Sequence, residues 1–134
     1  MSFLGRKPKR ATGTTSQVRG QAAEDQALAY LQAQGLRLLD RNYRTPGRGG
    51  GEIDLILQES GGTVVFVEVR SRYHHAFGGA GGSIVVAKQR RIVLAAKHWL
   101  HWQGLQAPCR FDVVLLEGTQ LQWLPAAFDA SCGQ

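Results

Sequence analysis

Two acidic residues sit inside apolar runs of this chain. "GEIDLILQ" (51–58) and "VVFVEVRSR" (64–72) read as strands around a glycine turn, and Asp54 and Glu68 interrupt their hydrophobic residues. If Ser60-Gly61-Gly62 closes a hairpin, Asp54 stands directly across from Glu68, with both side chains on one sheet face. Glu52 would oppose Arg70 one step beyond, and Ile56 and Phe66 would continue the same face toward the core. A slip of one residue would send the two acids to opposite faces.

Two carboxylates held together repel, by ~1 kcal/mol in water and ~4 kcal/mol at an effective dielectric of 20 for charges ~4 Å apart. A divalent cation between them reverses that sign, and hard oxygen ligands suit Mg²⁺ or Mn²⁺. Glu24 can join them, because it shares a helix edge with Leu28 and Leu31 at spacings of four and seven. The plainer alternative is that Arg70, Arg72 or Lys88 neutralises these acids in ordinary ion pairs.

The elements that must position these residues follow from periodicity. Ser16 to Gln34 reads as a helix with Ala23, Ala27, Leu28 and Leu31 as its apolar stripe and Gly35 as its stop. "LRLLDRNYR" (36–44) is a first strand, "TPGRGGG" a flexible link, and the hairpin supplies strands at 52–58 and 63–71. "YHHAFGGAGG" is a loop. A second helix spans 83–103 with Ile92, Ala96, Trp99 and Leu100 on its buried face, and "RFDVVLLE" and "QLQWL" are two last strands turned at Glu117-Gly118. The order αβββαββ implies an α/β domain with a central mixed sheet flanked by helices. Residues 1–15 are expected to be a disordered basic tail, 16–128 one domain, and 129–134 a short C-terminal tail.

At 134 residues the chain has the length of one domain with a real core. No apolar run approaches the ~18 residues of a membrane span, and the basic N-terminus leads into no apolar signal segment, so a cytoplasmic protein without a membrane partner is expected. Cys109 and Cys132 lack redox or zinc spacing and are read as reduced. The net charge of +6 is uneven: residues 1–19 hold five basic residues and no acid, against eleven Lys/Arg and ten Asp/Glu elsewhere. Such a segment can hold nucleic acid in a salt-sensitive way.

"GEIDLI" followed by "FVEVRSR", in this element order, resembles the PD-(D/E)XK restriction-endonuclease-like nucleases. More closely, the chain resembles the YraN-like family of uncharacterised bacterial proteins, through "GQAAEDQALAYL", "NYR", "GEIDLI", "VVFVEVRSR", "FGG", "KQRRI", "RFDVV" and "AAF" between Gly20 and Phe128. The resemblance implies a restriction-endonuclease-like core and Mg²⁺- or Mn²⁺-dependent hydrolysis of a nucleic-acid phosphodiester. The nucleic acid is expected to be DNA, with branched or processed ends as candidate substrates. Either an endonuclease or an exonuclease fits, as a monomer or weak homodimer. It also implies Asp54, Glu68 and the Val69 carbonyl as metal ligands, and Glu24 as the helix acid of resolvase-like members. Arg48, Arg72, Lys88, Gln89 and Arg91 are the expected nucleic-acid contacts.

Arg70 departs from the superfamily pattern, since it occupies the lysine position. Lysine can shed a proton to assist a water, whereas arginine stays charged and serves only to clamp phosphate and stabilise its growing charge. A nucleic-acid-binding module that keeps the fold without the chemistry is therefore the alternative, and a protein-interaction domain a third. Other residues carry less. His74-His75 read as an exposed loop pair, and His98 and His101 have metal-ligand spacing without a third ligand nearby in sequence. Gly78–Gly82 suits a lid better than a phosphate loop. Asp112 reads as a sheet-edge acid paired with Arg110 or Arg72, and Trp99, Trp102 and Trp123 as core, with base stacking reserved for one that is exposed.

The departure generates a test. Arg70→Lys is expected to retain or raise metal-dependent cleavage, and Arg70→Ala to lose both cleavage and phosphate affinity. Assays on linear, single-stranded and branched substrates check it, and inactivity of both wild type and Arg70→Lys would favour the binding module.

Overall fold

The computed structural model describes residues 15–71 and 84–130. The basic N-terminal segment through residue 14, Arg72, the His74-His75 and Gly78–Gly82 loop, and Cys132 lie outside the described residues. The elements run α1 (Thr15–Ala33), β1 (Arg37–Arg44), β2 (Glu52–Gln58), β3 (Val64–Ser71), α2 (Val86–Gln103), β4 (Cys109–Glu117) and β5 (Gln120–Phe128). This is the expected order, αβββαββ. The five strands form one mixed sheet in sequence order, with β3 and β4 parallel and every other neighbouring pair antiparallel.

The single parallel step is what α2 exists to bridge, since parallel neighbours need a long crossover. α2 packs on one face, where Ile92, Val93, Ala95, Ala96 and Trp99 meet Ile56, Val64, Phe66 and Phe111. α1 packs on the other, where Ala27 and Leu31 meet Leu55, Leu57, Val65, Val67, Val114 and Leu116. β3 is covered on both faces and reads almost continuously apolar for that reason. On the α2 side, Phe66 stacks on Phe111 at 5.5 Å and Phe111 on Phe128 at 5.1 Å, so aromatic rings tie β3, β4 and β5 together.

Two expectations need correction. Asp112 is fully buried on β4 rather than at a sheet edge. Its carboxylate accepts from the Arg110 guanidinium at 3.0 Å, from the Trp123 indole at 2.9 Å and from the Ala126 amide at 2.9 Å, a donor set that makes its burial tolerable. Ala126 has φ +52, and the β4–β5 register shifts beside it before Phe128 pairs with Phe111. That anchored irregularity carries β5 to Phe128, past the expected end at Leu124. Trp102 is the second correction. It stands 69% exposed, whereas Trp99 is buried and donates to Asp40 at 3.0 Å, and Trp123 is half-buried against Tyr30.

Gly51, immediately before β2, lies against the backbone of α2. A Cβ there would lie 2.3 Å from the Arg91 carbonyl oxygen and 2.7 Å from its carbon, both backbone atoms that cannot swing away. Glycine at this position lets the helix settle onto the strand. Gly51→Ala is expected to destabilise the protein by about 1–3 kcal/mol, read as a lower melting temperature; an unchanged melt would mean the two backbones part at no cost.

Candidate functional site

The hairpin takes the expected register as far as Leu55 and Val67, one residue short of the two acids. Leu55 pairs with Val67, Ile56 with Phe66 and Gln58 with Val64, and the Glu59 amide donates to Thr63 at the turn. Hydrogen-bonded pairs alternate from that turn, so the ladder would next join Ile53 to Val69. It does not, because the pairing ends at Leu55–Val67. The Val69 amide donates instead to Asp54 Oδ2 at 2.8 Å. Ile53 and Ile56 both belong to the α2-side cluster while Leu55 belongs to the α1 side, so the side-chain alternation of β2 breaks at Asp54. The Asp54 carboxyl thus enters the gap between two parting strands. The Val69 carbonyl points toward the same gap, since N–H and C=O of one strand residue face the same neighbour.

Glu24 reaches this gap from α1. Its carboxyl neighbours that of Asp54, and Arg41 lies 3.6 Å away. With its amide nitrogen turned toward the helix, Asn42 donates to both Glu24 oxygens at 3.1 and 3.3 Å. Asn42 has φ +54, a conformation asparagine tolerates better than most residues. Burial raises the Glu24 carboxyl, against the lowering effect of Arg41. Burial first, and the charge of Glu68 second, push Asp54 up to about 8 in spite of the Val69 hydrogen bond. A metal-free protein at neutral pH therefore keeps Asp54 largely protonated. Its carboxyl can then donate to Glu24 while its second oxygen accepts from Val69.

Glu68 is buried on β3 and pairs with Lys88 of α2 at 2.8 Å. One of the ion pairs offered by the plainer reading is therefore real. Lys88 thus places an amine beside Glu68, while Arg70 is buried farther along β3. Glu52 does not follow the expected hairpin opposition with Arg70: β2 has left β3 by that point, and Glu52 pairs with Arg44 of β1 at 3.2 Å.

A cleft of about 410 Å³ opens over Asp54 and Glu68, walled by Lys88 and Arg91 on one side and by Arg44 and the 45–51 loop on the other. That loop is more than a flexible link. Thr45 and Gly51 close its neck, with the Thr45 amide donating to the Gly51 carbonyl at 3.1 Å and the Gly51 amide to Thr45 Oγ1 at 2.9 Å. Gly47 and Gly49 take positive φ and line the cleft. Arg48 is exposed at the loop tip. Gln89 turns away, donating to the Ile84 carbonyl at 2.7 Å.

The donor set suits a hard cation in kind: two carboxylates and a backbone carbonyl. Among the described residues no three His, Cys, Asp or Glu side chains converge closely enough to hold one ion, so Glu24 would stand behind the ligands rather than among them. His98 does not pair with His101 as a ligand. Its Nε2 accepts from the Trp102 indole at 3.1 Å and its Nδ1 is hydrogen-bonded to the Tyr43 hydroxyl. Sequence reasoning missed the support given by Asn42 and Arg44, although the "NYR" run contains both. It also missed the closed neck of the glycine loop, whose only signal was the glycine run itself.

Comparison with known proteins agrees on one family. The model of the uncharacterised protein family UPF0102 matches residues 23–116. A UPF0102 protein of Acidovorax sp. (strain JS42) is 64% identical over 132 residues, covering 98% of this chain and all of the relative. One from Paracidovorax citrulli is 66% identical over 120 residues, 90% of this chain and 89% of the relative. A third, from Verminephrobacter eiseniae, is 56% identical over 140 aligned positions and covers 97% of each chain. No helix among the described residues is long and apolar enough to cross a membrane.

The raised carboxyl of Asp54 fixes the sign of a pH effect. The folded state keeps its proton to about pH 8, whereas the unfolded chain loses it near pH 4. Stability contributed by the neutral form is complete below pH 4 and falls as pH rises toward 8, by at most about 1.4 kcal/mol per unit. Asp54→Asn is expected to remove that slope. Denaturant titrations from pH 5 to 9 measure it, and parallel profiles for the two proteins would show that Asp54 ionises normally.

Proposed function

This chain belongs to the uncharacterised protein family UPF0102, and we propose that it is a divalent-metal-dependent nuclease that hydrolyses nucleic-acid phosphodiester bonds, DNA first among its candidate substrates. One observation carries the reading: Asp54 enters the gap where β2 parts from β3, beside Glu68 and Glu24, under a cleft rimmed by basic side chains. Carboxylates crowded until one must hold a proton cost the fold stability, and such costs concentrate at functional sites.

Asp54, Glu68 and the Val69 carbonyl would hold Mg²⁺ or Mn²⁺, which when bound would neutralise phosphate charge and make a water more acidic. The chain's own residues would do the rest. Arg91 and Arg44, on opposite walls, would grip the phosphates on either side of the cut. Glu24, oriented by Asn42 and Arg41, would accept a proton from the attacking water. Lys88 would release Glu68 on metal binding and turn its ammonium to the growing negative charge. A non-catalytic binding module is the second reading, favoured by the same Lys88–Glu68 pair, which already neutralises one proposed ligand.

Excess Mn²⁺ is expected to raise the melting temperature of the wild type through mass-action linkage, and to leave Asp54→Asn and Glu68→Gln unchanged. Lys88→Ala should keep the metal-dependent shift while cleaving at least about 100-fold more slowly. Thermal melts with a panel of linear, single-stranded and branched DNA and RNA check both. A metal-stabilised wild type that cuts nothing in the panel would leave the binding module standing.

A further inference from the structure

α2 carries a feature that the acidic site does not use. Lys88, Arg91, Leu94, His98 and Trp102 follow one another at spacings of three and four, none of them buried, and so form one stripe along the helix. Lys88 and Arg91 belong to the cleft at one end of that stripe. Trp102 closes the other end, on the last turn of α2.

A lone exposed apolar side chain needs no explanation, but this indole is held in place. Its Nε1–H donates to His98 Nε2 at 3.1 Å, and His98 is in turn hydrogen-bonded through Nδ1 to Tyr43 of β1. The ring centroids step by 6.1 Å from Trp102 to His98 and by 6.1 Å again to Tyr43. The polar edge of the indole is therefore satisfied inside the protein, while its faces remain in solvent. Arg44 follows Tyr43 on β1, its side chain 74% exposed, and belongs to the cleft with Lys88 and Arg91.

We infer that Trp102 is a stacking platform for one base of a single-stranded segment whose backbone runs along this stripe from the acidic cleft. The inference rests on the nucleic-acid reading above and adds to it that the substrate carries a single-stranded flank. An aromatic face accepts any base, and a basic track beside it takes the phosphates. In a duplex the base faces are already stacked on one another, so a protruding ring has nothing to cover. An apolar protein partner fits less well, because Leu94 is the one large apolar side chain exposed between the indole and Arg91, and the stripe ends on the basic Arg91 and Lys88 of the cleft. Arg91 and Trp102 lie eleven residues apart, about 16 Å along the helix. That span holds about five nucleotides stacked at 3.4 Å, or fewer in an extended strand.

Binding is measured by fluorescence anisotropy without divalent metal, using a labelled twelve-residue oligothymidylate, its ribonucleotide counterpart and a blunt duplex. The readout is the ratio of single-strand to duplex affinity. Trp102→Ala is expected to lower that ratio about tenfold, and Trp102→Phe to hold it. Relative response of the deoxy and ribo oligomers tells which nucleic acid the platform takes. An unchanged ratio in Trp102→Ala, an equal loss of both affinities, or a wild type that binds neither single strand would overturn the platform. Asp54→Asn separates this from the nuclease. If it keeps the ratio while no protein cleaves anything, the platform stands and the catalytic reading falls.

Discussion

The hydrogen bond between the Val69 amide and Asp54 is the interaction around which the site is arranged. An amide at the centre of a sheet must find an acceptor, and the ladder would have supplied the Ile53 carbonyl. Replacing that carbonyl with a side-chain carboxylate lets β2 swing away from β3 without orphaning the donor. The swing has three consequences. It opens space above Glu68, sends Glu52 to Arg44 on β1, and brings Gly51 against the backbone of α2 at Arg91. The cleft follows from one acceptor being exchanged for another.

The exchange also explains why the acids strain against one another. A carboxylate that serves as a strand acceptor is fixed in position and cannot turn toward water when a second acid approaches. Asp54 is held beside Glu68 and Glu24, and it responds by holding its proton rather than by moving. Glu68 meets the same crowding differently, because α2 crosses above it and supplies Lys88. Two neighbouring acids thus meet their crowding in different ways, one by holding a proton and one by taking a cationic partner.

Much of this was legible in the residues. The turn Ser60-Gly61-Gly62 fixes the hairpin register, and the apolar stripes of both helices lie where their periodicity puts them. The parting of the strands was not legible, because alternation predicts Asp54 on a face and cannot show a ladder ending. Asp112 was misread as an edge acid because its partners Trp123 and Ala126 come from a strand whose proline hides its continuation. Trp102 was misread because hydrophobicity alone cannot tell an indole in the core from one tethered on the surface by a histidine. The first two misses concern side chains whose partners lie on another element, and the third a partner one turn away on the same helix.

The ion pair between Lys88 and Glu68 decides how the site should respond to a cation. Lys88 is partly exposed, so it can exchange its partner for water at modest cost. Asp54 has no such freedom, since a cation must displace its proton before it can bind. Below about pH 8 that displacement works against binding, roughly tenfold for each unit of acidity, and above it the opposition ends. Under the proposed reading, metal affinity at neutral pH would therefore be governed by the acid that serves as the strand acceptor, while Lys88 would supply a mobile charge already in place beside it. The bond that parts the two strands and the proton that guards the proposed metal site belong to the same carboxyl group.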